Sequence, residues 1–154
     1  MSIINGLPAH ALLVHLIVVL APLTAVLAIL CAVWPAARRR LVWLVLAFAV
    51  VITALTPLTT EAGEWLQHRI GESPAIQTHA DLGSTMLYFA VALLVAAILL
   101  AVLHIRSMNT VAATVIAGVV IAASAATIVQ VIRIGDSGAQ ATWAGIVANS
   151  SATN

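Results

Sequence analysis

Four apolar runs, each about long enough to cross a bilayer, limit this chain more than any other feature. Residues 11–34, 41–60, 84–105 and 111–134 are dominated by Leu, Val, Ile and Ala, and none holds a charged side chain before its last residues. A helix needs about 20 apolar residues to traverse the hydrocarbon core. Lipid offers no partner for backbone N–H and C=O groups, so runs of this kind must satisfy their own hydrogen bonds as helices, despite their many β-branched residues. Composition agrees: the chain is 63% hydrophobic and 7% charged, where a soluble domain carries about 25% charged residues. The expected fold is all-α, an integral membrane four-helix transmembrane bundle formed as one domain over residues 1–154. Its helices are expected at about 11–34, 41–60 extending to about 70, 74–105 and 111–134, with a flexible tail at 145–154.

Arginine placement predicts orientation. The connection 35–40 carries Arg38, Arg39 and Arg40, and the connection 106–110 carries Arg106. Arginine and lysine collect on the cytoplasmic side of short loops. Both termini and the long connection 61–83 are then expected outside. Trp65 and Trp143 suit the outer interface, and Trp34 and Trp43 the inner one.

Several functional classes are disfavoured. The net charge is +1 and all six basic residues are Arg in no broad basic face, so nucleic acid is not an expected partner. Cys31 is the lone cysteine, which forbids an intrachain disulfide. Leu30 before it does not suit a lipoprotein anchor, and a small buried thiol is the expectation. Met1 to Ala9 bear no charged side chain, so the first run reads as a retained helix rather than a signal peptide. There is no His-Glu-x-x-His, no cysteine pair and no nucleophile triad. No enzyme is expected.

The ionisable residues do suggest chemistry. Such groups are costly in or beside a membrane span and by default point to function. His10, His15, Glu61, Glu64, His68, His79, Asp81, Arg133 and Asp136 all fall on the expected outer side, opposite Arg38, Arg39, Arg40, Arg106 and His104. His15 lies about one and a half turns inside the first span, where a neutral imidazole needs a partner: a hydrogen bond to Thr56 or Thr60, or a metal. His10, about 140° away around the helix, is the lesser candidate. Gly83 follows His79 on the same face and leaves room for a flat ligand or for close helix packing. Glu61, Glu64 and His68 share one face of the extended second helix. Arg133 could pair with Glu61, Glu64 or Asp136, or grip a haem propionate. The glycines of Arg133-Ile-Gly-Asp-Ser-Gly-Ala139 suggest a turn that ends the fourth helix and folds Asp136 back. Pro8 and Pro74 each open a helix soon followed by His, which hints at a duplicated hairpin.

The stretch Gly6-Leu-Pro-Ala-His-Ala-Leu-Leu-Val-His15 resembles the opening of a family of small bacterial membrane proteins known as domain of unknown function 2231. The similarity continues through Ser73-Pro74, His79-Ala-Asp-Leu-Gly83 and Val131-Ile-Arg-Ile-Gly-Asp-Ser-Gly-Ala139, in order along nearly the whole chain. This resemblance implies a four-helix bacterial plasma-membrane protein. Some relatives look fused to Rieske-type iron–sulfur domains, which implies an electron-transfer setting. Ala11 and Asp136 depart from the pattern, standing where many relatives carry Pro and His.

The leading functional expectation is a redox or metal site that holds haem b or a transition metal. His15 and His79 are the foremost ligands, His10 and His68 further candidates, and Glu61, Glu64, Arg133 and Asp136 supporting groups. The alternative is a non-catalytic accessory or scaffold subunit, either homo-oligomeric or bound to a membrane complex. Small residues of the fourth helix, from Ala112 to Ala126, would then form its contact face.

Overall fold

The computed structural model describes the backbone of residues 3–4, 7–71 and 73–151, with side chains over 9–69, 71 and 73–143. Two two-residue strands, β1 (Ile3–Ile4) and β2 (Leu7–Pro8), pair antiparallel ahead of the first helix. Five helices follow: α1 (Ala9–Val33), α2 (Pro35–Ile70), α3 (Pro74–Ser84), α4 (Met86–Ile105) and α5 (Thr110–Ser151). Four stretches are long and apolar enough to cross a membrane: Ala9–Val33, Pro35–Arg69, Pro74–Ile105 and Thr110–Trp143. The fold is all-α in its body, as expected, and α3 with α4 makes up the third span.

The spans pack in a ring, with α1 against α2 and α5, and α4 against α2 and α5. Small residues let the backbones approach: Ala21, Ala25, Ala28, Ala49, Ala90, Ala96 and Ala97 are all buried. Around them, Leu93, Leu100, Val42, Val45, Ile52 and Val120 fill the interior. Many large apolar side chains face outward, among them Val19, Val26, Val50, Val115 and Ile132. An apolar exterior is what a lipid-embedded bundle requires, since association there rests on close packing rather than on removing apolar surface from water.

Three helix boundaries differ from the sequence reading, each for a local reason. The first connection shrinks to Trp34, because Pro35 occupies the first helical position of α2, where a missing N–H costs nothing. Arg38, Arg39 and Arg40 therefore stand on the first turns of α2 rather than in a loop. The third span breaks at Thr85. There Ser84 Oγ donates to Asp81 O at 2.8 Å and Thr85 Oγ1 to Leu82 O at 2.7 Å. Buried Gln130 of α5 completes the break, with Nε2 donating to Leu82 O at 3.1 Å and to Thr85 Oγ1 at 2.7 Å. Side chains thus serve carbonyls that a continuous helix would have paired with its own amides.

The fourth span does not end at residue 134; α5 runs on to Ser151 and takes in most of the stretch expected to be a tail. Gly135 and Gly138 are not helix stops, since Gly71 is the positive-φ glycine among the described residues. Asp136 accordingly sits on the exposed face of a continuing helix instead of folding back.

Candidate functional site

A cavity of about 1120 Å³ opens at the end of the bundle where α1 begins and α2 finishes, walled by α1, α2, α3, the start of α4 and α5. Val14, Ile17, Val18, Met86, Val131 and Ile134 give it an apolar body, and His10, His15, Glu64, His79 and Asp81 also line it.

His10 and His79 are built into this wall by matching devices. The His10 ring lies against Gly63 of α2, where an added Cβ would come within 2.9 Å of Cε1 and Nδ1. His10 Nδ1–H donates to Thr59 O at 2.9 Å, one helical turn before that glycine. The His79 ring lies against Gly138 of α5, where a Cβ would come within 3.0 Å of Cε1. His79 Nδ1–H is shared between Ile134 O at 3.2 Å, again one turn before the glycine, and Ser137 Oγ at 3.1 Å. Ser137 Oγ donates in turn to Ile134 O at 2.9 Å. Each helical hairpin, α1 with α2 and α3/α4 with α5, therefore contributes one imidazole on one glycine and one carbonyl.

A carbonyl can only accept, so both Nδ1 atoms carry the proton. In the neutral ring Nε2 is then a free lone pair. A backbone carbonyl behind one ring nitrogen is the usual support of a metal-bound histidine, because it fixes the tautomer and the ring orientation. The two rings lie 6.3 Å apart, centroid to centroid, and nearly perpendicular at 85°.

The remaining candidates are dispersed. His15 reaches the cavity lining but is exposed, with Nδ1 turned to Ala11 O of its own helix rather than to Thr56 or Thr60. Those threonines bond their own helix, at Ile52 O and Thr56 O. Glu64 lines the cavity with an exposed side chain, while Glu61 and His68 are exposed and outside the lining. Arg133 and Asp136 are exposed on α5, and Arg133 does not form the ion pair its spacing suggested. Among the described residues, no group of three or more His, Cys, Asp or Glu side chains converges as a metal cage would require.

From the sequence alone His15 stands above His10, Gly138 reads as part of a turn, and nothing singles out Gly63 or Ser137. The available signal was glycine inside helical sequence. It costs about 0.5–1 kcal/mol relative to Ala, so its presence there points to a neighbour that needs the space. Gly83 is different: a Cβ there would meet nothing within 4 Å, which leaves the cavity wall beside His79 open.

No match is found among the curated proteins or the solved structures. Residues 6–151 match the model of a family described as Predicted membrane protein (DUF2231). Four membrane-length helices and a match across nearly the whole chain agree, and the chain belongs to that family.

Proposed function

We propose that this is a small electron-transfer protein of the bacterial plasma membrane that holds haem b between His10 and His79, with that end of the bundle and both termini outside. The observation that carries the reading is the pairing of the two imidazoles, each tied back through Nδ1 and facing one cavity. With ring centroids 6.3 Å apart, both imidazoles would be available to hold one bound group.

Ligand number favours haem over a bare ion. Two imidazoles alone leave a transition ion short of donors, whereas a porphyrin supplies the four equatorial nitrogens itself. The cavity body is apolar, and Gly83 leaves space beside His79. When bound, haem supplies one-electron redox chemistry; the chain's part is to hold two Nε2 lone pairs in place and exclude water with an apolar wall. His15 and Glu64 add polar groups to the same lining.

The test is an absorption spectrum of detergent-purified protein, oxidised and then dithionite-reduced, with metal analysis on the same sample. The expected result is a Soret band that sharpens on reduction, is lost in His10→Ala and in His79→Ala, and survives in His15→Ala. A clean spectrum with no stoichiometric metal, from protein purified from haem-replete cells, would sink the reading.

A second reading, a scaffold subunit, has its own observation. Gly118, Ala122, Ala125 and Ala126 of α5 are exposed, and a Cβ on Gly118 would meet nothing within 4 Å. Such a face suits another helix in lipid. Stoichiometric partners recovered in mild detergent, without a chromophore, would favour it.

A further inference from the structure

The opposite end of the bundle carries a second constellation. Arg38, Arg39 and Arg40 stand on the first turns of α2, and Arg106 caps the end of α4. The described acidic residues Glu61, Glu64, Asp81 and Asp136 stand toward the histidine end. Among the described residues, none of these four guanidinium groups has a carboxylate partner. Arg39, Arg40 and Arg106 are exposed, while Arg38 is half-buried, with Nη1 donating to Cys31 O at 3.4 Å near the end of α1.

One contact sets part of this charge on a single face. Trp43 of α2 and His104 of α4 meet edge to face, with ring centroids 6.3 Å apart. Arg39 and Arg40 precede Trp43 by four and three residues, so they lie one turn above it on its side of α2. Arg106 follows His104 by two residues at the helix end. The Trp43–His104 contact marks a seam between α2 and α4, with Arg39 and Arg40 one turn away on α2 and Arg106 at the end of α4. Trp43 is 54% exposed, and an indole half in and half out of apolar surroundings is suited to headgroup depth.

We infer that this seam binds the headgroup of an anionic phospholipid, with Arg40 and Arg106 gripping the phosphate, Arg39 adding charge and Trp43 lying along the glycerol and upper acyl chain. Guanidinium groups match phosphate oxygens in pairs of parallel hydrogen bonds. A membrane-surface basic residue near anionic lipid contributes about 1 kcal/mol, or about fivefold in affinity. The unneutralised charge favours a lipid with a net negative headgroup over a zwitterionic one. This inference is independent of the haem reading, which concerns the other end of the molecule.

The test uses the full-length protein in nanodiscs of phosphatidylcholine mixed with phosphatidylglycerol. The lipid that stays bound after extraction is identified by native mass spectrometry. Phosphatidylglycerol is expected to be enriched over its share of the mixture. Arg40→Gln/Arg106→Gln should lower that enrichment by about tenfold or more, at about fivefold per arginine. Arg69→Gln/Arg133→Gln, at the far end, should leave it unchanged. Equal retention of both lipids, or enrichment that survives the Arg40→Gln/Arg106→Gln change, would overturn the assignment. Should that variant fail to fold, Arg40→Lys/Arg106→Lys retains the charge and should retain most of the preference; its complete loss in folded protein would also count against the site. In detergent, phosphatidylglycerol should raise the melting temperature and inorganic phosphate should not. An equal rise with phosphate would replace the lipid with a free anion.

Discussion

The ring of His79 rests on Gly138 and bonds to the carbonyl of Ile134, and His10 has the same relation to Gly63 and Thr59. In both cases the carbonyl lies one helical turn before the glycine, so a single packing device appears twice, once in each hairpin. The two glycines are the places where a Cβ would crowd the ring, more tightly at Gly63 than at Gly138.

Alanine at Gly63 or Gly138 is therefore expected to displace an imidazole, not merely to stiffen a helix. A Cβ would lie 2.9 Å from two His10 ring atoms at Gly63 and 3.0 Å from His79 Cε1 at Gly138. Overpacking of this kind costs about 1–3 kcal/mol, more than the 0.5–1 kcal/mol or so that Ala gains over Gly in a helix. Both variants should melt below wild type in detergent. Gly83→Ala and Gly135→Ala, whose Cβ atoms would meet nothing within 4 Å, should melt at or above it. Equal behaviour of all four would mean that the imidazoles do not depend on these contacts.

Much of the architecture was legible in the sequence, because the bilayer leaves few options. Apolar length alone gives four spans, and the order His10, Glu61 to His68, His79, Arg133 places them at one end. The reading lost accuracy where a residue serves a tertiary neighbour. Gly135 and Gly138 look like a helix stop locally, yet α5 runs through both, and Gly138 makes room for the His79 ring. His15 and His10 both reach the cavity lining, but only His10 is bonded to a second helix, and that partner is invisible from depth alone. The break at Thr85 was hidden because it depends on Gln130, 45 residues further on. The matched pairs Pro8/His10 and Pro74/His79 were visible; the glycine and carbonyl that complete each pair lie on another helix.

Gln130 supplies the next expectation. It is 3% exposed and its one amide nitrogen serves both Leu82 O and Thr85 Oγ1. Gln130→Leu keeps the approximate volume but removes both bonds, leaving Leu82 O to the Thr85 hydroxyl alone. An ordinary hydrogen bond contributes about 1 kcal/mol net. Thermal unfolding should shift downward accordingly, and amide exchange over residues 82–88 should quicken relative to the middle of α4. Unchanged exchange there would show that the break holds without the glutamine.

Ser137 allows a finer distinction. Its hydroxyl accepts from His79 Nδ1 at 3.1 Å while donating to Ile134 O at 2.9 Å. Ser137→Ala removes one of two acceptors for the same proton, so His79 keeps its tautomer through Ile134 O. The expected loss is that of one ordinary hydrogen bond, about 1 kcal/mol, with the Nε2 lone pair retained. Nitrogen-15 imidazole shifts should still report protonation at Nδ1. A switch to the Nε2–H tautomer would show that the serine, not the backbone, fixes the ring.

The small residues of α4 give a contrast between core and lipid faces. Ala97 is fully buried where α4 packs on its neighbours, whereas Val95, two residues away, is 48% exposed. Ala97→Leu forces extra volume between helices whose attraction depends on close backbone approach, and should cost about 1–3 kcal/mol. Val95→Leu adds one carbon toward lipid, where a larger apolar side chain displaces nothing, and should be neutral within about 0.5 kcal/mol. Melting curves of the two variants in one detergent decide the matter. If Val95→Leu were the damaging change and Ala97→Leu the silent one, α4 would have to be rotated from the orientation described, and the placement of the Trp43–His104 contact would fall with it.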